Sequence, residues 1–72
     1  MSKADDAVSE LLAAVEDYFE LTMVRYYAAM ALGMIKHQAS VDPLLKIFGH
    51  EKDPQMRNVL AHVILHVSSV PT

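Results

Sequence analysis

The chain has 72 residues, of which 53% are hydrophobic and 21% charged, and its formal net charge is −3. This composition excludes a disordered tail, and the six scattered Lys and Arg residues form no basic stripe of the kind that nucleic-acid binders use. The absence of Cys excludes a disulfide framework, and the longest apolar run is far shorter than a membrane span. We therefore expect a cytoplasmic protein that needs no cofactor and binds neither nucleic acid nor membrane.

Strong helix formers dominate the sequence and predict one all-α domain over residues 1–72, with helices at about 3–19, 22–36, 40–48 and 54–68. Three short links join these helices, so neighbours are expected to run antiparallel. In the first helix Ser2 is the expected N-cap. The apolar positions of that helix recur at helical spacing: Val8, Leu11, Leu12, Val15 and Phe19.

The second helix is apolar on nearly every side, which is unusual in so small a protein. Its expected inner face consists of Val24, Ala28, Ala31, Leu32 and Ile35. Gly33 costs stability inside a helix, so we expect it to allow close approach of another helix.

Turn and cap residues delimit the last two helices. Pro43 suits the first turn of the third helix, and Gly49 is expected to end that helix. The inner stripe of the third helix is predicted as Val41, Leu44, Leu45 and Phe48, with Ile47 beside it. Asp53-Pro54 is a strong start signal for the fourth helix, and Pro71 follows its end. Its core stripe is predicted as Met56, Val59, Leu60, Val63, Ile64 and Val67.

The chain repeats itself. The second helix aligns with the fourth at an offset of 32, so that Val24-Arg25 meets Met56-Arg57. The first helix aligns with the third at an offset of 33, so that Val15 meets Phe48. Two helices per 32 or 33 residues predict an α-solenoid of two repeats, divided as half a repeat, a full repeat and another half.

These residues resemble a known family. The segment from Val24 to Ile35 is similar to the first helix of a HEAT-like repeat of the phycobilisome-lyase type, and Asp53-Pro54-x-Met56-Arg57 resembles the opening of the next repeat. The resemblance implies a protein-interaction surface. Deoxyhypusine hydroxylase, which uses similar repeats, has His-Glu pairs directly after the arginine. Tyr26-Tyr27 and Asn58-Val59 stand there in this chain, so no catalytic ligand carries over and we expect no enzyme.

An uncharged stripe on the second helix is the main candidate site. The residues at the positions where the family usually has charge are Met23, Tyr26, Tyr27, Met30 and Met34. Adaptable Met and amphipathic Tyr are typical of contact surfaces, and the small core favours a homodimer through this stripe. The alternative is that these side chains form the core of a four-helix bundle.

Two further groups of residues are candidates. His62 and His66 have the i, i+4 spacing of two metal ligands on a helix, and they suggest an accessory subunit that binds a metal or ligand. The alternative is a pair of ordinary solvated imidazoles, and a repeat fragment without a function of its own is also open.

Arg25 and Arg57 stand at equivalent positions, and we expect them in structural ion pairs. The acids that could serve are Asp53, Asp42 and Glu20. Recognition of a phosphate or a partner's carboxylate is the other interpretation.

Overall fold

The computed structural model describes residues 3–69, and the expected cap Ser2 and the terminal Pro71 lie outside that range. Four α-helices follow one another: α1 (Lys3–Glu16), α2 (Thr22–Ile35), α3 (Val41–His50) and α4 (Pro54–Ser68), with a short 3-10 helix at Gln38–Ser40. No strand occurs within residues 3–69. The all-α prediction is therefore confirmed.

Helix α1 ends at Glu16, earlier than the pattern predicted. The carboxylate of Asp17 accepts a hydrogen bond from the amide of Phe19 at 3.0 Å. This bond stabilises a turn, because it offers the backbone a partner other than the helix. Phe19 is fully exposed in that turn, so the prediction that it continues the apolar face of the first helix was wrong.

Helix α2 turns a different face to the core than expected. Its buried residues are Arg25, Ala28, Ala29, Leu32 and Gly33. Val24 and Ile35 are exposed, so placing them on the inner face was wrong. Around a helix with few polar residues, periodicity does not choose the buried side; the small Ala28 and Ala29 do, because they let neighbouring helices approach.

The end of α2 is set by a lysine in a left-handed conformation. Lys36 has φ 56° and donates its amide to the carbonyl of Leu32 at 3.1 Å. The link that follows is ordered by His37, whose Nδ1 accepts the amide of Ala39 at 3.1 Å while its Nε2 lies 2.8 Å from Asp5 of α1. The link therefore tethers the start of α1 to the start of α3.

Helix α3 continues through Gly49 and ends at His50, so the prediction that Gly49 stops the helix was wrong. Gly49 has no positive φ and acts as an ordinary helical residue. The inner face of α3 is formed by Leu44 and Ile47, whereas Leu45 is exposed. Leu44 and Ile47 are three residues apart and therefore share one face of the helix.

The helices pack as two hairpins, since α1 packs on α2 and α3 packs on α4. The hairpins stack because α2 packs on α4 and α1 on α3. The sequence had grouped α2 with α3, but the 3-10 turn separates these two helices and the main contacts lie elsewhere. The core between the hairpins consists of buried apolar side chains: Val8, Val15, Ala28, Ala29, Leu32, Leu44, Ile47, Met56, Leu60, Val63, Ile64 and Val67.

Candidate functional site

An exposed stripe of four uncharged side chains runs along α2. Its members are Met23, Tyr27, Met30 and Met34, which are 64%, 63%, 45% and 83% exposed. Exposed Val24 and Ile35 widen this surface at its two ends. We call the four residues the Met/Tyr stripe. Contiguous exposed apolar side chains on a small protein make the stripe a candidate contact surface.

Tyr26, which was predicted with the stripe, lies apart from it. Its side chain is half buried, and its hydroxyl lies 3.1 Å from Oε1 of Gln55 and 3.4 Å from Oδ2 of Asp53. Burial and the negative charge of Asp53 raise the pKa of Tyr26 above its ordinary value. Tyr26 therefore joins α2 to the start of α4 within the chain.

His62 and His66 lie next to the stripe, on the neighbouring helix α4. A shallow groove between α2 and α4 is lined by Met30, Gly33, Met34, His62, Val63 and His66. The two candidate sites thus share one surface, because Met30 and Met34 form one wall and the imidazoles the other. No group of three or more His, Cys, Asp or Glu side chains within residues 3–69 is arranged to hold a metal ion.

Arg25 is buried and ties three parts of the chain together. Its Nε donates to the carbonyl of Val15 at 2.9 Å, its Nη2 pairs with Oε1 of Glu51, and its guanidinium lies 4.9 Å from the ring centre of Tyr18. Val15 belongs to the last turn of α1, where carbonyls lack helical partners, so Arg25 caps that helix. The acid is Glu51, which was not among the three that the sequence suggested.

Glu51 is held as a carboxylate although it is buried. Burial alone would raise its pKa, but the hydrogen bond from Arg25, the amide of Asp53 and the charge of Arg25 together lower it below the ordinary value. The amide of Asp53 donates to Oε2 at 3.3 Å. The carboxylate thus links Arg25 to the turn that begins α4.

Arg57 repeats the capping role of Arg25 one repeat later, but it forms no ion pair within residues 3–69, so that part of the prediction was wrong. Its Nη1 donates to the carbonyls of Phe48 at 2.8 Å and Glu51 at 3.1 Å, and its guanidinium lies 4.1 Å from the ring centre of Phe48. Phe48 is the repeat equivalent of Val15, so each arginine caps the same carbonyl of the preceding helix. Asp53, expected to pair with an arginine, instead caps α4 by accepting the amide of Gln55 at 3.3 Å.

Sequence reasoning missed Glu51, and one signal could have found it. Glu51 lies two residues before Asp53-Pro54, in the turn that the repeat places near the preceding arginine. An acid in the link between two repeats is therefore a candidate partner for the buried arginine of the preceding repeat.

A wider depression lies between α1 and α3 and contains charges of both signs. It is lined by Glu16, Tyr18, Lys46, Ile47, His50, Glu51 and Lys52. Its buried acid, Glu51, is engaged by Arg25, so the depression offers no free buried carboxylate at that position.

Two stacked helical hairpins, with an arginine in the same capping role in each, define a helical-repeat protein of the α-solenoid class. The sequence profile of HEAT repeats matches residues 2–64. The chain therefore belongs to the HEAT repeat family, whose members are generally non-enzymatic protein-interaction scaffolds. No curated protein and no solved structure matches the chain significantly. In the part of the chain that the structure describes, no helix is both long and apolar enough to cross a membrane.

Proposed function

We propose that this chain is a protein-interaction module that associates with a second copy of itself through the Met/Tyr stripe. The observation that carries the proposal is the exposure of four uncharged Met and Tyr side chains on one face of α2. A patch without charge is complementary to itself, because two copies meet without repulsion between like charges. Met adapts its shape to a partner, and Tyr contributes a rigid apolar ring.

The spacing of the stripe supports helix-to-helix pairing. Successive members are four, three and four residues apart, which is the spacing of a coiled-coil seam. In an antiparallel pair of α2 helices around a twofold axis, Met23 meets Met34 of the second copy, and Tyr27 meets its Met30. The second contact joins a thioether to an aromatic ring, an arrangement worth roughly 0.3–1.5 kcal/mol.

The size of the core also favours association. Repeat proteins need about three repeats to bury a continuous core, whereas this chain has two hairpins. A domain of this size rarely gains more than about 3–5 kcal/mol from its own core. A second copy packed on α2 enlarges the apolar surface that is removed from water.

Sedimentation of the wild type and of Met30→Glu tests the proposal. A glutamate in the middle of the stripe would bury an unpaired charge in each copy, so we expect the dimer to weaken at least ~100-fold while helix content stays unchanged. Leu65→Glu is the matched control, because Leu65 is an exposed apolar residue of α4 outside the stripe. A wild type that remains monomeric at high micromolar concentration contradicts the proposal.

Disulfide trapping tests the antiparallel order, since the chain has no Cys of its own. Tyr27→Cys mixed with Met30→Cys should form a mixed disulfide faster than either variant forms a disulfide with itself. Equal rates in all three reactions would exclude this register.

The proposal also covers the type of HEAT repeat and the cellular location of the protein. We infer that the repeats are of the phycobilisome-lyase type, supported by the segment from Val24 to Ile35 and by the Asp53-Pro54 start of α4. The Cys-free composition suits a reducing compartment, which supports a cytoplasmic location. Localisation of a tagged chain in cells tests the second inference.

A further inference from the structure

The groove between α2 and α4 brings two thioethers and two imidazoles together. Met30 and Met34 lie one turn apart on α2, and His62 and His66 lie one turn apart on α4. Met30 is the repeat equivalent of His62, and Met34 of His66, at the offset of 32. Equivalent positions of two stacked repeat helices lie at matching heights, and the two pairs line the same groove side by side.

His62 is held in the tautomer that leaves one nitrogen free for a metal. Its Nδ1 lies 2.8 Å from the carbonyl oxygen of Asn58, which only accepts hydrogen bonds. Nδ1 therefore carries a proton, and in the neutral ring Nε2 is the nitrogen with the free lone pair. A backbone carbonyl in this position is a frequent outer partner of metal-binding imidazoles, because it fixes both the tautomer and the ring orientation.

His66 reaches across the groove towards α2. Its Cδ2 lies 4.0 Å from the point that a Cβ on Gly33 would occupy. Cδ2 is bonded to Nε2, so this nitrogen lies close to the turn of α2 that holds Met30 and Met34. The two methionines are exposed and lie outside the buried core, so a rotation of their thioethers towards the imidazoles leaves the core in place.

The donor set selects the metal. No Asp or Glu lines this groove, so it has little to offer hard cations that require oxygen ligands. Thioether sulfur is a soft ligand that favours copper(I), and imidazole also binds copper. We propose that Met30, Met34, His62 and His66 form a copper(I)-binding site between the two hairpins. The proposal does not depend on self-association.

Anaerobic competition between the protein and bicinchoninate for copper(I), with ascorbate present, tests the site. The titration uses Met23→Glu, which disrupts the Met/Tyr stripe outside the groove, so that dimerisation does not affect the result. We expect one equivalent to bind. Met30→Leu/Met34→Leu keeps the apolar volume but removes both sulfurs, and it should weaken binding at least ~10-fold for each ligand lost.

A matched substitution and a second metal make the result specific. His50→Gln, made in the same Met23→Glu chain, changes an exposed imidazole outside the groove and should leave copper(I) affinity unchanged. Zinc depends only on the imidazoles, so Met30→Leu/Met34→Leu should not change its binding. X-ray absorption at the copper edge should show both sulfur and nitrogen neighbours. Equal copper(I) affinity with and without the two sulfurs, or no binding at all, overturns the proposal.

Discussion

Neutralising Glu51 should cost the fold much of its stability. Glu51→Gln keeps one acceptor oxygen, which can serve Arg25, but it removes the negative charge and places an NH2 group where Oε2 accepts the amide of Asp53. The guanidinium side chain of Arg25 is only 7% exposed and would be left without a counter-ion. Removing one partner of a buried ion pair costs about 3–5 kcal/mol, and we expect about 3 kcal/mol because one acceptor oxygen remains for Arg25.

This loss is large against the total. Stability of roughly 0.05–0.15 kcal/mol per residue gives about 4–11 kcal/mol for 72 residues. With a urea slope near 1 kcal/mol/M, a loss of 3 kcal/mol lowers the unfolding midpoint by about 3 M. Urea unfolding followed by circular dichroism measures the shift, at one protein concentration so that self-association contributes equally.

Two controls separate the ion pair from general charge effects. Glu10→Gln removes the same charge from an exposed position of α1 and should change stability by less than about 0.5 kcal/mol. In a double-mutant cycle, Arg25→Met and Glu51→Leu should show a coupling of about 2–3 kcal/mol. If Glu51→Gln costs less than about 1 kcal/mol, the pair behaves like a screened surface pair and the reasoning is refuted.

Three further predictions concern the backbone and pH. Gly33→Ala and Gly49→Ala should each raise the free energy of unfolding by about 0.5–1 kcal/mol. A Cβ at Gly49 meets open space, and a Cβ at Gly33 meets only ordinary contact, 3.6 Å from Val63. A lower unfolding midpoint for Gly33→Ala would show that this contact is tighter. Lys36→Gly should raise the free energy of unfolding by about 1 kcal/mol, because glycine adopts the positive φ of this position without strain, whereas Lys36→Ala should not. An equal gain from both substitutions would exclude backbone strain. The pKa of Glu51 is lower in the folded than in the unfolded chain. Its contribution to folding stability is therefore present above about pH 4.3 and is lost as pH falls through the folded pKa. Thermal unfolding measured against pH should show this loss of stability, and Glu51→Gln should lack the part that Glu51 causes.

Helix existence could be predicted from the sequence because local signals agree with the tertiary structure. The apolar spacing of α1 and the Asp53-Pro54 cap of α4 act within a few residues, and the structure shows the cap bond from Gln55 to Asp53. The buried face of α2 could not be predicted in the same way. When nearly every position of a helix is apolar, the buried face is the one whose side chains are small enough for neighbouring helices to pack closely. In α2 these side chains are Ala28 and Ala29, which are buried.

The candidate site shows the same limit. The stripe residues are visible from sequence as uncharged positions where charge was expected, but the different environment of Tyr26 depends on Gln55 and Asp53, which are remote in the chain. The proximity of Met34 to His66 needs the packing of α2 on α4. The repeat offset of 32 already aligned these two positions. In stacked repeats, equivalent positions lie on neighbouring helices, so the offset also predicts which residues are close in space.

The Met/Tyr stripe and the copper(I) site share Met30 and Met34, so the two proposed activities should be coupled. Copper(I) turns the thioethers towards His62 and His66 and away from the seam with a second copy. Copper(I) should therefore weaken the dimer, and by linkage the dimer must weaken copper(I) binding by the same factor. Sedimentation with and without copper(I) gives one factor, and copper(I) titration of the wild type against Met23→Glu gives the other. If copper(I) leaves the dimer constant unchanged, the same sulfurs do not serve both surfaces.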